Sequence, residues 1–145
     1  PDAIRAWRSS QKLIIRHPSF IRPWQHVLEP LYGYLLLAQC SYGEPSFNGA
    51  YNFGPKTDEL ITVKRLLEIA CEFELKLEID YIEQLSFHES SNLVLENSLS
   101  MEALGYKPRW EIRKSLKKTI DWYKDFYSDK NSLKLCIEDI NDFLN

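Results

Sequence analysis

Ile21-Arg22-Pro23-Trp24-Gln25-His26-Val27-Leu28-Glu29-Pro30-Leu31-Tyr32-Gly33-Tyr34-Leu35 places one arginine and two polar rings directly ahead of an apolar, proline-started segment. Leu31, Tyr34, Leu35 and Ala38 recur at helical spacing, so a helix is expected from about Pro30 into Ser41. Proline suits the first helical position because it lacks the N–H that would be orphaned there, although Glu29 is a weaker cap than Ser or Asp. Helix N-termini attract anions through their dipole and free N–H groups, and a nearby arginine adds a planar fork suited to phosphate oxygens. The run therefore reads as half of an anion site. An ordinary helix start beside a surface arginine is an equal alternative.

On the N-terminal side of this run, Ala3, Ile4 and Trp7 form the apolar stripe of a short first helix within Pro1 to Ser10. Lys12 to Arg16 reads as a short buried strand, broken by His17-Pro18-Ser19. On the C-terminal side, Gly43-Glu44-Pro45-Ser46 stops the helix and Ala50 to Phe53 is expected to form a strand. Thr62 is a suitable cap for a third helix, with Val63, Leu66, Leu67, Ala70 and Cys71 on one face. Leu75, Leu77, Ile79 and Tyr81 alternate with Lys76, Glu78 and Asp80, which predicts a half-buried strand. Leu93 to Leu95 reads as another short strand, followed by a helix from Leu99 to Leu104 that ends at Gly105. A long amphipathic helix using Ile112, Leu116, Ile120, Tyr123 and Tyr127 follows, and Ser132 to Asn145 adds a terminal helix.

A chain of 145 residues with 44% hydrophobic and 27% charged residues can bury one core of ordinary size, so residues 1–145 are expected to form a single domain. The net charge of −3, with cations scattered among carboxylates, supplies no basic field and indicates no nucleic-acid partner. Tyr34 to Ala38 is far too short an apolar stretch to span a bilayer, and no secretory leader precedes it. The 3 cysteines, Cys40, Cys71 and Cys136, are widely spaced and suggest neither a disulfide framework nor a zinc knuckle, which points to a reducing cytoplasm. His17, His26 and His88 lie far apart, and Asn92 stands where a zinc-protease helix would need histidine after His88-Glu89, so no metal is expected.

Two kinds of chemistry are missing from the chain. None of the 8 tyrosines is followed by lysine four positions later, so there is no Tyr-x-x-x-Lys proton relay. The 5 glycines, Gly33, Gly43, Gly49, Gly54 and Gly105, cannot make the closely spaced fingerprint that lets a dinucleotide pyrophosphate approach a strand-to-helix turn.

Several short motifs occur in order along the chain: Pro1-Asp2-Ala3-Ile4-Arg5, Ile15-Arg16-His17-Pro18, Arg22 to Leu31, Tyr51-Asn52-Phe53-Gly54-Pro55, His88-Glu89, and Leu104-Gly105-Tyr106-Lys107-Pro108-Arg109-Trp110. In sequence and approximate spacing they resemble the CDP-glucose 4,6-dehydratases, extended members of the short-chain dehydrogenase/reductase superfamily. The resemblance covers nearly the whole chain but only that family's C-terminal part. It implies a helix-rich, mixed α/β substrate-binding domain without the Rossmann domain, which would come earlier in a longer parent chain and carry the missing motifs. In the family, tightly held NAD takes a hydride from sugar C4, water is eliminated across C5 and C6, and the hydride returns to C6. The product, CDP-4-dehydro-6-deoxyglucose, serves bacterial surface-polysaccharide sugars. The expected role of this chain is binding of CDP-glucose or a related nucleotide sugar, with no catalytic residue of its own.

The resemblance also suggests site residues. Arg22 matches the arginine of an arginine-aromatic-x-x-valine motif and is the expected contact to the nucleotide pyrophosphate. Asn52 matches an asparagine whose amide would reach the same phosphates, with a strand-ending turn residue as its other reading. Trp24 would wall the pocket or fill core. His88 matches a segment near the sugar nucleotide, although Ser90-Ser91-Asn92 departs from the more basic or aromatic residues common there and Glu96 replaces a common aspartate. Gln25 and Tyr51 are expected neighbours. The Rossmann domain is the expected partner of an exposed apolar face, and a homo-oligomer stays open. A stand-alone binding module, or part of a related dTDP- or GDP-sugar dehydratase or epimerase, are the alternative readings. Pro23-Trp24-Gln25 argues against the latter, because many relatives carry an acid and an aromatic after the arginine.

Overall fold

The structure is a computed structural model that describes residues 1–56, 58, 60–82 and 90–145. His88 and Glu89 lie outside the described residues.

The first helix, α1 (Asp2–Ser9), buries Ile4 and Ala6. β1 (Leu13–Ile15) follows and pairs in parallel with β4 (Ile79–Tyr81), Leu13 opposite Ile79 and Ile15 opposite Tyr81. Between these strands runs α3 (Val63–Glu72), started as expected by Thr62, whose hydroxyl oxygen accepts the Arg65 N–H at 3.1 Å. Its buried residues are Leu67, Ile69 and Ala70, while Cys71, expected on the inner face, is exposed. The expected strand from Leu75 to Tyr81 pairs only over its last three residues, since β1 offers a partner just three residues long. Its alternation holds from Leu75, which is buried, to Glu78, which is exposed, but fails at the paired end, where Asp80 is partly buried and Tyr81 exposed.

A second small sheet did not show in the sequence. β2 (Ile21–Arg22) lies antiparallel to β3 (Ile61–Thr62), with Arg22 opposite Ile61. On its other edge, Ile21 bridges Asn92 in parallel: the Ile21 N–H donates to Ser91 O at 2.9 Å, and the Leu93 N–H to Ile21 O at 3.1 Å. The next rung would need an N–H from residue 23, which is proline, so the expected strand Leu93 to Leu95 does not form. The expected strand Ala50 to Phe53 is irregular backbone instead. Side chains bind its main chain where a neighbouring strand would have done so.

The central helix, α2 (Leu28–Gly43), starts two residues before Pro30, which occupies the third helical position rather than the first. Its inner face also differs from expectation. Leu31, Tyr34, Leu35 and Ala38 point outward, Leu35 with 71% of its surface exposed. Tyr32, Leu36, Leu37 and Cys40 pack inward, on Phe53, Leu104 and Tyr106. The helix is apolar nearly all round, so two stripes fit a period of 3.6 and spacing does not choose between them. Gly33 helps decide it, because a Cβ there would run into the Phe53 ring.

The chain then passes through a 3-10 turn (Pro45–Phe47) and on to α4 (Ser98–Leu104), which ends at Gly105 in the left-handed region, φ 67°, as expected. α5 (Ile112–Phe126) and α6 (Ser132–Leu144) complete the fold. One cluster of the core gathers Ile4, Ala70, Leu75 and Ile120 between α1, α3 and α5. A second joins Ala6, Leu13 and Leu67, and the third is the Phe53 cluster beneath α2.

Glu29, 1% exposed, joins these parts. Its carboxylate accepts the Arg109 N–H at 3.0 Å and the Trp110 N–H at 2.7 Å, tying the start of α2 to the segment that leads into α5. Arg109 in turn donates to Phe143 O at 2.9 Å, at the C-terminal end of α6. Replacing Glu29 with alanine leaves two inward N–H groups without their acceptor. The expected loss is about 3 kcal/mol of unfolding free energy, with a smaller loss for Glu29→Gln, read by urea denaturation. An alanine variant within experimental error of the parent would show that the clamp contributes nothing.

Candidate functional site

Pro23 ends the ladder of β2 and leaves Arg22 at its last position, next to the turn toward α2. The Arg22 guanidinium is held from two sides. Its Nη1 donates to Ile21 O at 2.9 Å and Ser90 O at 3.1 Å, and lies 3.4 Å from Ser91 O. Its Cζ sits 4.9 Å from the centre of the Phe20 ring, which stacks on His17 at 4.3 Å. These contacts fix the plane of the fork, and a fixed plane is what bidentate recognition of phosphate requires.

The start of α2 is not the open anion site suggested by the sequence. The His26 Nδ1 accepts the Leu28 N–H at 3.3 Å, and the Glu29 N–H donates to His26 O at 3.0 Å. The first-turn carboxylate of Glu29 opposes an anion further. Arg22 therefore acts apart from the helix dipole, and His26 takes the capping place that Glu29 was too weak to fill.

Asn52 sits in the irregular segment across from α4. Its Nδ2 donates to Glu96 O at 2.9 Å, and its carbonyl accepts the Ser100 hydroxyl at 2.7 Å. Asn97 Nδ2 donates to Gly54 O at 3.1 Å. Gln25 joins this segment to that of Arg22, its Nε2 donating to Phe53 O at 2.9 Å. Trp24 is half-buried, and its Nε1 is buried without a partner among the described residues. Sequence reasoning named Gln25 only as a neighbour and passed over Phe20 and the Ser90–Ser91 main chain. Their roles depend on pairings of segments distant in the chain, which local spacing does not encode.

One cavity of about 560 Å³ opens between the start of α2, α5 and α6, walled by Gln25, His26, Leu31, Trp122 and Ile140. Arg22, Trp24 and Asn52 do not line it. His26, 7% exposed, tilts against Trp110 with ring centres 4.9 Å apart. Burial drives its pKa below the ordinary value, Asp139 opposes the shift, and Lys118 adds to it. The ring is therefore neutral near pH 7, and with Nδ1 accepting, its proton sits on Nε2. Among the described residues, no cluster of His, Cys, Asp and Glu could hold a metal ion, and no helix is long and apolar enough to cross a membrane.

In sequence, the chain is 33% identical to CDP-glucose 4,6-dehydratase of Salmonella typhimurium, over 99% of this chain and 41% of that enzyme. This chain is similar to part of that dehydratase. It spans less than half the length of the curated relative it matches. No protein-family model matches it.

Among solved structures, UDP-glucuronic acid 4-epimerase from Bacillus cereus, in complex with UDP-glucuronic acid and NAD, superposes with a TM-score of 0.71 at 14% identity. That match covers 87% of this chain and 39% of the epimerase. RMD from Pseudomonas aeruginosa, complexed with NADPH, gives a TM-score of 0.59 at 20% identity, over 79% of this chain and 37% of that one. The expected helix-rich, mixed α/β fold is thus present, and it is one that these larger proteins carry over part of their length. Within Arg22 to Leu31, Arg22, Gln25, His26 and Glu29 each have a separate task.

The depressed His26 pKa has a consequence for stability. Below the ordinary value of 6.5, the unfolded chain takes up a proton that the folded ring resists. Stability is therefore level well above pH 6.5 and falls as pH drops below that value. His26→Asn keeps an acceptor for the Leu28 N–H but does not titrate, so melting temperatures across this range should flatten in the variant. An equal slope in both proteins would assign the pH dependence to other groups. Glu72, Glu96 and Asp142, whose pKa values lie below the ordinary carboxylate range, lose their contributions at lower pH.

Proposed function

We propose that this chain is the C-terminal, sugar-nucleotide-binding part of an NAD-dependent, cytoplasmic 4,6-dehydratase, a lyase that converts CDP-glucose to CDP-4-dehydro-6-deoxyglucose. The observation that carries the reading is 33% identity to a CDP-glucose 4,6-dehydratase maintained over 99% of the chain. Arg22, with its guanidinium plane set by Phe20 and the Ser90 carbonyl, is the proposed contact to the pyrophosphate. Asn52 is its proposed companion and Trp24 a wall of the site. His88, proposed from the family motif alone, lies outside the described residues.

The residues of this chain do not fit a dinucleotide. Gly33 lies inside α2, Gly43 ends it and Gly105 caps α4, while Gly49 and Gly54 lie in irregular backbone. None stands at a turn from a strand into a helix, where a pyrophosphate would be cradled. The reading therefore gives NAD, and the proton and hydride chemistry, to a Rossmann portion of the same parent chain. Holding the nucleotide half far from the reacting carbons orients the sugar, and that is how a part without catalytic groups raises the rate.

The outer face of α2 supports the same reading. Leu31, Tyr34, Leu35 and Tyr42 line it, Tyr42 with 97% of its surface exposed. A monomeric surface rarely leaves such a stripe uncovered, and the proposed occupant is the Rossmann portion.

Truncating Arg22 to alanine in the complete enzyme should weaken CDP-glucose binding by about 1 to 3 kcal/mol, measured by titration calorimetry. Equal affinity in the variant would remove the assignment. Competition with dTDP-glucose and GDP-mannose tests the base: displacement by either as strong as by CDP would shift the reading to a related dehydratase.

A further inference from the structure

Gln25 stands between the two proposed phosphate contacts. It lies three residues after Arg22, and the Trp24 N–H donates to Arg22 O at 2.9 Å, making the intervening turn tight. Its amide nitrogen reaches Phe53 O at 2.9 Å, the carbonyl of the residue after Asn52. The far side of that segment is pinned independently, by Asn52 to Glu96 O and by Ser100 to Asn52 O. The Gln25 bond is thus the side-chain link, among the described residues, that sets the Asn52 segment against the Arg22 turn.

Stability alone does not account for a glutamine here. Gln25 Oε1 is buried without a partner among the described residues. A buried acceptor left unpaired costs about 1 to 3 kcal/mol, and an apolar side chain of similar size would remove that cost while leaving the Phe53 carbonyl without its donor, so neither residue has a clear advantage in stability. A group that opposes folding through one atom while holding two segments through the other has its use in geometry.

We infer that Gln25 is a positioning residue that holds Arg22 and Asn52 in a single phosphate-binding arrangement through its bond to the Phe53 carbonyl. The inference rests on the reading of Arg22 and Asn52 as pyrophosphate contacts. Gln25 itself touches no phosphate; it sets the separation of the groups that do.

The test uses the complete enzyme and four proteins: the parent, Gln25→Leu, Arg22→Ala and the double variant. Gln25→Leu should change the melting temperature little, because it exchanges one unpaired acceptor, Gln25 Oε1, for another, the Phe53 carbonyl. It should weaken CDP-glucose and CDP about tenfold and raise KM by a similar factor, with kcat nearly constant. In the Arg22→Ala background the same substitution should add less than about twofold, because nothing is left to position. Gln25→Glu, which keeps the length but presents an acceptor to the Phe53 carbonyl, should match or exceed the Gln25→Leu loss. The inference is overturned if Gln25→Leu binds CDP-glucose as the parent does while Arg22→Ala does not. It is equally overturned if the full loss in Gln25→Leu persists without Arg22. Unchanged affinity in Arg22→Ala would reject the site reading itself, and this inference with it.

Discussion

The architecture depends on a buried carboxylate. A charge removed from water is tolerated only where hydrogen bonds replace its hydration, and Glu29 obtains them from the main chain at Arg109 and Trp110. That requirement fixes where α2 begins relative to α5. Once the Trp110 segment is held, its indole packs against both His26 and Phe143, and the Arg109 guanidinium reaches the final carbonyls of α6. Tyr106, fully buried in the same run, feels the carboxylate directly: burial, and then the Glu29 charge, push its phenol pKa well above the ordinary range. Removing a single acceptor would disturb the junction of three helices.

The site is built from short pieces held in the same manner. β2 has two residues, yet it receives β3 on one edge and the Asn92 bridge on the other. Pro23 has no N–H to extend the Asn92 edge, so that edge stops next to Arg22, where β2 ends. The cap by His26 and the link by Gln25 then turn the chain into α2. A rigid arginine results from backbone constraints on either side and from an aromatic ring beneath it. Binding and folding share one stretch of sequence, which accounts for the density of polar residues ahead of an apolar helix.

α2 belongs to two surfaces. Its inner face closes on Phe53 and Tyr106, with Gly33 admitting the Phe53 ring. Its outer face is equally apolar and uncovered. A helix of this kind is ordinarily buried on all sides. Under the proposed function, the Rossmann portion of the parent chain would cover that face. Trp24 Nε1 and Gln25 Oε1, which have no partner among the described residues, lie on the turn that leads into the same helix.

The sequence by itself determined what is written within a turn or two of the chain. Thr62 announced α3, Gly105 ended α4, and the stripe of Ile112, Leu116 and Ile120 marked α5. The ordered motifs from Pro1 to Trp110 pointed to the dehydratases, to which the chain proved similar in sequence. Tertiary structure alone decided which stripe of α2 faces inward, how little of each strand is paired, and that the mouth of α2 is capped rather than open. It also decided the tasks of Glu29 and Gln25, whose partners lie 80 and 28 residues away. Helix caps and apolar periods are set by neighbours in the chain, so they can be read locally. A buried carboxylate, a borrowed backbone carbonyl and a ring filling the space above a glycine acquire meaning only when distant segments meet.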